Sequence, residues 1–326
     1  MRIKGSLSDT HCHLDGSLSK ETVKQLAKMQ NIELPENFET LLSVEDECAD
    51  LNEYLSKFQF PLSLLQTEEA IETAVKNLCE EFKTNSLLYA EIRFAPQLHL
   101  KNGLSQSEVV SAALKGLHSS SFPANLILSC MRGKDNKEDN LETLRVASEN
   151  YGNGVCAVDL AGAEGLYPTK DFTYLFEEIN RLNLPFTVHC GEAAGPESIQ
   201  AVLPYNPRRI GHGVRCLEND DVVDEIVKKG IVLELCPTSN LDTKIFDNVK
   251  EYPLKKLIDK GVKFSINTDN ISVSRTNIEE EYIRMIATFG LDRKDVETIC
   301  KDTISSAFLG EQEKRNLIKK IEKFKF

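Results

Sequence analysis

Only six histidines occur in this chain of 326 residues, and four of them stand where metal chemistry is possible. His11 and His13 form a His-x-His pair, His189 opens a His-Cys-Gly-Glu run, and His212 stands in Arg-Ile-Gly-His-Gly. Asp269 lies within Asn-Thr-Asp-Asn. Imidazole and carboxylate are the ligands expected of zinc or a similar first-row ion. In a strand, residues i and i+2 point to one face, so His11 and His13 face together and Cys12 faces away. A lone strand-end histidine is more often a hydrogen-bonded structural residue than a ligand. Four of them with an aspartate, all at strand ends, are hard to explain by packing, because unpaired polar groups converging in a core are costly. The five residues are therefore expected to converge on one divalent metal. Glu192 follows His189 by three positions. It reads either as a solvated loop carboxylate or cap, or as a general acid kept protonated by desolvation. A metal hydrolase must protonate its leaving side, which favours the second reading. His99 and His118 fall in a loop and at a helix end and are given no role.

Positioning these residues requires strands. Eight short β-rich runs are expected: Leu7–Leu14, Leu87–Ala95, Ala124–Met131, Val155–Leu160, Phe186–His189, Arg209–His212, Ile231–Cys236 and Val262–Asn267. Helical periodicity separates them at Glu69–Phe82, Glu108–Leu117, Asn140–Tyr151, Phe172–Leu182, Asp220–Lys229 and Leu254–Lys260. Stop signals precede several strands: Gly230 before Ile231, Gly261 before Val262, Pro185 before Phe186. Such alternation implies parallel βαβ units, and eight of them fit a closed (β/α)8 TIM barrel. An open doubly wound sheet would want a glycine-rich phosphate turn after its first strand, and His11-Cys12-His13 stands there instead. Lys20–Thr67 is too long for one crossover and is expected to insert extra helices after the first strand. There Leu51, Tyr54, Leu55 and Phe58 form an apolar stripe, broken by Pro61. Residues beyond Ile278 are expected to form a helical C-terminal end. The whole of 1–326 reads as one domain.

Composition bounds the partners. A net charge of −12 repels phosphate backbones and anionic lipid, so neither nucleic acid nor membrane is an expected partner. Nine scattered cysteines with no Cys-x-x-Cys read as reduced, mostly buried thiols. The opening Met1-Arg2-Ile3-Lys4-Gly5-Ser6 lacks the apolar core of a signal peptide, and no apolar run approaches a membrane span. A cytoplasmic protein is expected; its oligomeric state is not legible.

Taken together, Thr-His-Cys-His-Leu-Asp-Gly-Ser at 10–17, Glu-Ile-Arg-Phe-Ala-Pro at 91–96, Asp-Leu-Ala-Gly at 159–162, His-Cys-Gly-Glu at 189–192, Arg-Ile-Gly-His-Gly at 209–213, Cys-Pro-Thr-Ser-Asn at 236–240 and Asn-Thr-Asp-Asn at 267–270 resemble the adenosine deaminase family, in order and spacing, over nearly the whole chain. The resemblance implies a barrel with one Zn²⁺ per chain. By motif, His11, His13, His189 and Asp269 correspond to the zinc ligands. His212 corresponds to the residue that orients or deprotonates the attacking water alongside Asp269, which separates it from the ligand set. Glu192 corresponds to the proton donor to purine N1, Asp15 to the group that binds the ribose 5′-hydroxyl, Gly162 to the backbone donor to N3, and Asn270 to the N7 contact. His13 also falls in the substrate-binding set. Leu51, Leu55 and Phe58 lie where family members carry an apolar lid. The implied reaction is hydrolytic deamination of adenosine and 2′-deoxyadenosine: hydroxide attacks C6, Glu192 protonates N1, and the tetrahedral intermediate expels ammonia. Many members carry a second Asp followed by Pro where this chain has Asn270-Ile271. N7 is an acceptor, and an amide donates to it without first being protonated.

Rival readings are weaker. A binuclear amidohydrolase wants a carboxylated lysine at the end of strand four, where Val158-Asp159-Leu160-Ala161-Gly162 has none. The small zinc deaminases of cytosine use His-x-Glu and Cys-x-x-Cys, both absent here. A non-catalytic nucleoside-binding protein on the same scaffold should have lost a ligand or Glu192, and none is lost. Adenine or a 5′-modified adenosine remains the nearest alternative substrate. Anionic Asp15 disfavours a 5′-phosphate.

Overall fold

A computed structural model describes residues 3–44, 48 and 51–324, with the side chains of Leu51 and Asn52 outside the described set. Eight parallel strands run in chain order: β1 Ser8–His13, β2 Tyr89–Phe94, β3 Ala124–Met131, β4 Val155–Ala161, β5 His189–Cys190, β6 Arg209–His212, β7 Val232–Leu235 and β8 Lys263–Ile266. The ladders β1-β2-β3-β4 and β5-β6-β7-β8 are joined at two seams. Val158 bridges Phe186 between β4 and the segment leading into β5, and Cys12 bridges Asp269 between β1 and the end of β8. At the second seam His13 N–H donates to Asp269 O at 2.7 Å and Asp269 N–H to His11 O at 2.8 Å. The strands close into the expected (β/α)8 barrel.

Strand β5 is the shortest and differs most from expectation. Phe186 forms only an isolated bridge to Val158, with Thr187 N–H donating to Val158 O at 3.0 Å, and the regular ladder begins at His189. The helices at Glu68–Thr84, Gln106–Ser119, Lys137–Asn150, Thr173–Arg181, Asp220–Lys229 and Leu254–Asp259 fall where periodicity puts them. The insertion after β1 holds helices Lys20–Met29, Phe38–Leu42, Leu51–Ser56 and Gln59–Leu64, and the C-terminal end holds Ile278–Phe289, Arg293–Ser306 and Glu311–Lys323. Pro61 does not break the stripe as expected. It sits in the first turn of Gln59–Leu64, where its missing N–H is an orphan anyway, and the helix break falls at Lys57–Phe58.

Alternation along the strands sets two environments. Ala90, Ile92 and Phe94 belong to the apolar core, while Glu91 and Arg93 of the same strand are wholly buried with charged partners on distant strands. Arg93 pairs with Asp159 at 3.3 Å and Glu234 at 3.0 Å. Arg209 pairs with Glu91 at 2.5 Å and Glu234 at 2.5 Å. These pairs join β2, β4, β6 and β7, so they cross the barrel interior. Phe308, after the helix Arg293–Ser306, seals this layer: its N–H donates to Glu91 at 2.6 Å, and its ring lies 4.1 Å from the Arg209 guanidinium. The described cysteines are all buried thiols, none of them in a disulfide. Among the described residues no helix is long and apolar enough to cross a membrane.

Candidate active site

The C-terminal ends of the strands carry His11, His13, His189, His212 and Asp269 into one cluster. Ligand atoms of His11, His13, His189 and Asp269 lie within 4.8 Å of one another. His13 Nε2 is 3.2 Å from His189 Nε2, and both His11 Nε2 and His13 Nε2 are 3.4 Å from Asp269 Oδ1. Nitrogen atoms this close repel unless a cation or proton lies between them. The far sides of two rings favour a cation. His11 Nδ1 lies 2.7 Å from Glu234, and His189 Nδ1 lies 3.0 Å from Asp159. Each Nδ1–H donates to its carboxylate, which leaves the Nε2 lone pair bare and aimed at the cluster. His11 Nε2 is buried without a hydrogen-bond partner. The donor set, its geometry and its supporting carboxylates fit a divalent cation. A second grouping joins His11, His212, Cys236 and Asp269. It fits less well, because burial pushes the Cys236 thiol far up.

Backbone conformation aims two of these groups. His212, the last residue of β6, at φ 59° and Asp269, three residues past β8, at φ 62° are in the left-handed region. Non-glycine residues there cost of order 1–3 kcal/mol, a strain that concentrates at functional sites. Burial opposes ionisation of Asp269, but the adjoining His11, then His13 and His212, hold its carboxyl well below the usual carboxylate range. Burial lowers His212 to about 3, so it is neutral.

Glu192 faces the cluster from the loop after β5. Burial, then the Asp269 charge, raise its carboxyl to about 8. Its side chain is 15% exposed, so a bound ligand that displaces the remaining water desolvates it further. The loop is held by a residue the sequence reading did not single out. Glu164, just past the end of β4, is buried and accepts N–H bonds from Gly191 at 2.7 Å, Glu192 at 3.1 Å and Ala194 at 2.9 Å, and a hydroxyl bond from Ser198. Asn240, in the short helix Pro237–Asp242, touches both Glu192 and His212 at 3.1 Å. Neither role was legible: a Glu two residues after Asp-Leu-Ala-Gly, or an Asn closing Cys-Pro-Thr-Ser-Asn, names no partner.

The cluster floors a cleft of about 1030 Å³, its open mouth included. Asp15, Leu55, Phe58, Gly162, Glu192 and Asn270 all line it. Asp15 is nearly buried, its Oδ1 has no partner among the described residues, and burial raises its carboxyl to about 6. Gly162 has φ +104°, a strained conformation for any side chain. Asn270 donates from Nδ2 to the Tyr54 hydroxyl at 2.9 Å, which leaves one amide hydrogen for a ligand. Its Oδ1 lies so close to Gly16 that a Cβ there would collide with it. Tyr54, Leu55 and Phe58 come from the helix Leu51–Ser56 and the residues after it. The Leu51 side chain lies outside the described residues.

The family profile described as adenosine deaminase matches residues 7–324. The adenosine deaminase of Haemophilus ducreyi is 44% identical over 96% of this chain and 95% of that protein. The crystal structure of adenine deaminase from Arthrobacter aurescens superposes with a TM-score of 0.85 at 24% identity, covering 98% of each chain. An amidohydrolase structure from Burkholderia ambifaria with bound zinc gives 0.87 at 18% identity, covering 98% of this chain and 92% of that one.

Proposed function

The chain belongs to the adenosine deaminase family, and from that premise we propose that it hydrolyses adenosine and 2′-deoxyadenosine to inosine and 2′-deoxyinosine, releasing ammonia, with one zinc ion per chain. The observation that carries this reading is the placement of the partly buried Glu192 carboxyl beside a cation-ready cluster in one cleft. His11, His13, His189 and Asp269 would hold the metal. A divalent ion there lowers the pKa of water from 15.7 to about 7 and so supplies hydroxide at neutral pH. Ionised Asp269 takes a proton from the attacking water, and neutral His212 orients it. Glu192 gives its proton to N1, so that the ring accepts the electron pair as C6 becomes tetrahedral. Gly162 N–H, which no protein acceptor takes among the described residues, is assigned to N3, and Asn270 to N7. Leu55 and Phe58 cover the base, with Leu51 assigned beside them, and exclude water. The whole chain acts as one domain.

The substrate is a nucleoside in preference to a nucleotide. Among the described residues no Lys or Arg lines the cleft, so a 5′-phosphate would find no countercharge. The unpartnered Asp15 Oδ1 suits a 5′-hydroxyl donor. The deciding assay is ammonia release from adenosine, 2′-deoxyadenosine, adenine and AMP, by metal-replete and metal-stripped protein. The two nucleosides should be turned over by the loaded protein alone. Inactivity of loaded protein on every 6-aminopurine would refute the proposal.

Asp15→Ala should raise KM for adenosine by about 10-fold or more, the worth of one charge-assisted hydrogen bond. Inhibition by free adenine should be nearly unchanged. Equal losses for both would make Asp15 a structural turn residue.

A further inference from the structure

Asn240 is wholly buried, and its amide has three partners. Nδ2 lies 3.1 Å from Glu192 Oε1 and 3.1 Å from His212 Nδ1, while Oδ1 accepts from the Tyr252 hydroxyl at 3.1 Å. An amide nitrogen has two hydrogens, and here it meets two acceptors. We propose that Asn240 is a positioning residue that dictates where both catalytic protons lie: on Nε2 of His212, and on Oε2 of Glu192. The proposal rests on the deaminase reading for its catalytic meaning, and on these contacts alone for the proton positions.

A neutral imidazole has one lone pair and one N–H. If Nδ1 accepts from Asn240, the hydrogen is on Nε2. His212 can then only donate towards the cleft. It orients the attacking water through the water's oxygen and cannot take the water's proton, which passes to Asp269. In Glu192, Oε1 is occupied by the same amide, and among the described residues no protein group bonds Oε2. The acid hydrogen therefore sits on Oε2, on the carboxyl of a cleft-lining side chain. When it moves to N1, Glu192 becomes a carboxylate and N1 gains the proton. The Asn240–Oε1 bond persists through the transfer and strengthens as negative charge develops, so it favours the transition state over the ground state.

The reversed amide is the competing arrangement. Its Oδ1 would have to accept from His212 Nδ1–H and from an acid proton on Glu192 Oε1, with Tyr252 accepting in turn. Glu192 would then spend its proton inside the protein, and His212 Nε2 would be a base. Amide orientation and tautomer thus travel together, and the tautomer is measurable.

Imidazole ¹⁵N–¹H correlation spectra of the zinc-loaded protein, labelled at histidine, read it directly, with His212 assigned by its loss in His212→Asn. The expected pattern is a protonated Nε2 and bare Nδ1 for His212, opposite to the protonated Nδ1 of His11 and His189. A protonated Nδ1 on His212 overturns the proposal. Asn240→Asp replaces two donors by acceptors only. It should switch His212 to Nδ1–H and cut kcat by about 100-fold or more, with KM for adenosine and zinc content within about twofold. An unchanged tautomer or unchanged kcat in folded Asn240→Asp also overturns it. Should that variant fail to fold, the wild-type spectrum still decides, as does Tyr252→Phe. Tyr252→Phe removes the group that fixes the amide and should give a mixture of His212 tautomers; a single unaltered tautomer counts against the proposal. None of these spectra requires turnover, so a protein inactive on all 6-aminopurines would refute the functional reading and leave the proton positions to be decided separately.

Discussion

Glu192→Gln is expected to fold, keep its metal and bind adenosine almost normally, yet lose about 10²–10⁴ of kcat, the usual worth of a positioned general acid. Gln has the shape of Glu and can still present an oxygen to Asn240 and an N–H to N1. It has no transferable acid proton. Ground-state contacts therefore survive, and only the proton transfer, which matters as C6 becomes tetrahedral, is lost. Such a change lowers kcat and kcat/KM together and leaves KM in place. The pH profile supplies the second signature. Burial raises the Glu192 carboxyl to about 8, and the acid form is the active one, so wild-type turnover falls as pH rises through that value. A divalent ion in the cluster favours the carboxylate and draws this limb to lower pH. Metal content by elemental analysis and steady-state kinetics across pH measure both features. The Gln variant should lack the alkaline limb that belongs to Glu192. Retention of full kcat would remove Glu192 from the mechanism.

How far the molecule was readable from its sequence depends on the range of the cause. Strands β3 and β6 and the helix Asp220–Lys229 match expectation to the residue, because short periodic runs with local stop signals specify them. The helix Pro196–Val202 escapes expectation: it spans about two turns, too few for its period to stand out. The candidate metal cluster is readable because histidine is rare here and its members fall at or near strand ends. Its support is not. Glu234 and Arg93 look like charges that interrupt apolar strands, and their meaning lies in contacts across 141 positions. The Asn270 assignment carries over to a cleft-lining residue, but its amide is shared with Tyr54, a contact no motif announces. Short-range pattern reveals which atoms could do chemistry; long-range pairing decides which way they point.

Glu234 is where those two levels meet, and its loss should be felt in both. The side chain is wholly buried and takes His11 Nδ1 at 2.7 Å, Arg93 at 3.0 Å and Arg209 at 2.5 Å. Burial opposes its ionisation, but Arg93 and Arg209 outweigh burial and hold it well below the usual carboxylate range. A carboxylate depressed in this way contributes stability that is present above its unfolded value of about 4.3 and is lost as pH falls through the lower folded value. Glu234→Gln removes that charge and, among the described residues, leaves the two buried guanidiniums Glu91 and Asp159 as their carboxylate partners. Breaking a buried ion pair from one side costs about 3–5 kcal/mol, so the variant should unfold at markedly lower denaturant with little change in slope. Its second effect is on the metal. Without the carboxylate, His11 loses the acceptor that fixes its tautomer and ring plane, and metal affinity should fall by about 10–100-fold. Competition with a chelator, done on protein still folded, separates this from the stability loss. Unfolding at the wild-type midpoint would mean that the charged layer is energetically silent, and unchanged metal affinity would mean that His11 is oriented by its strand alone.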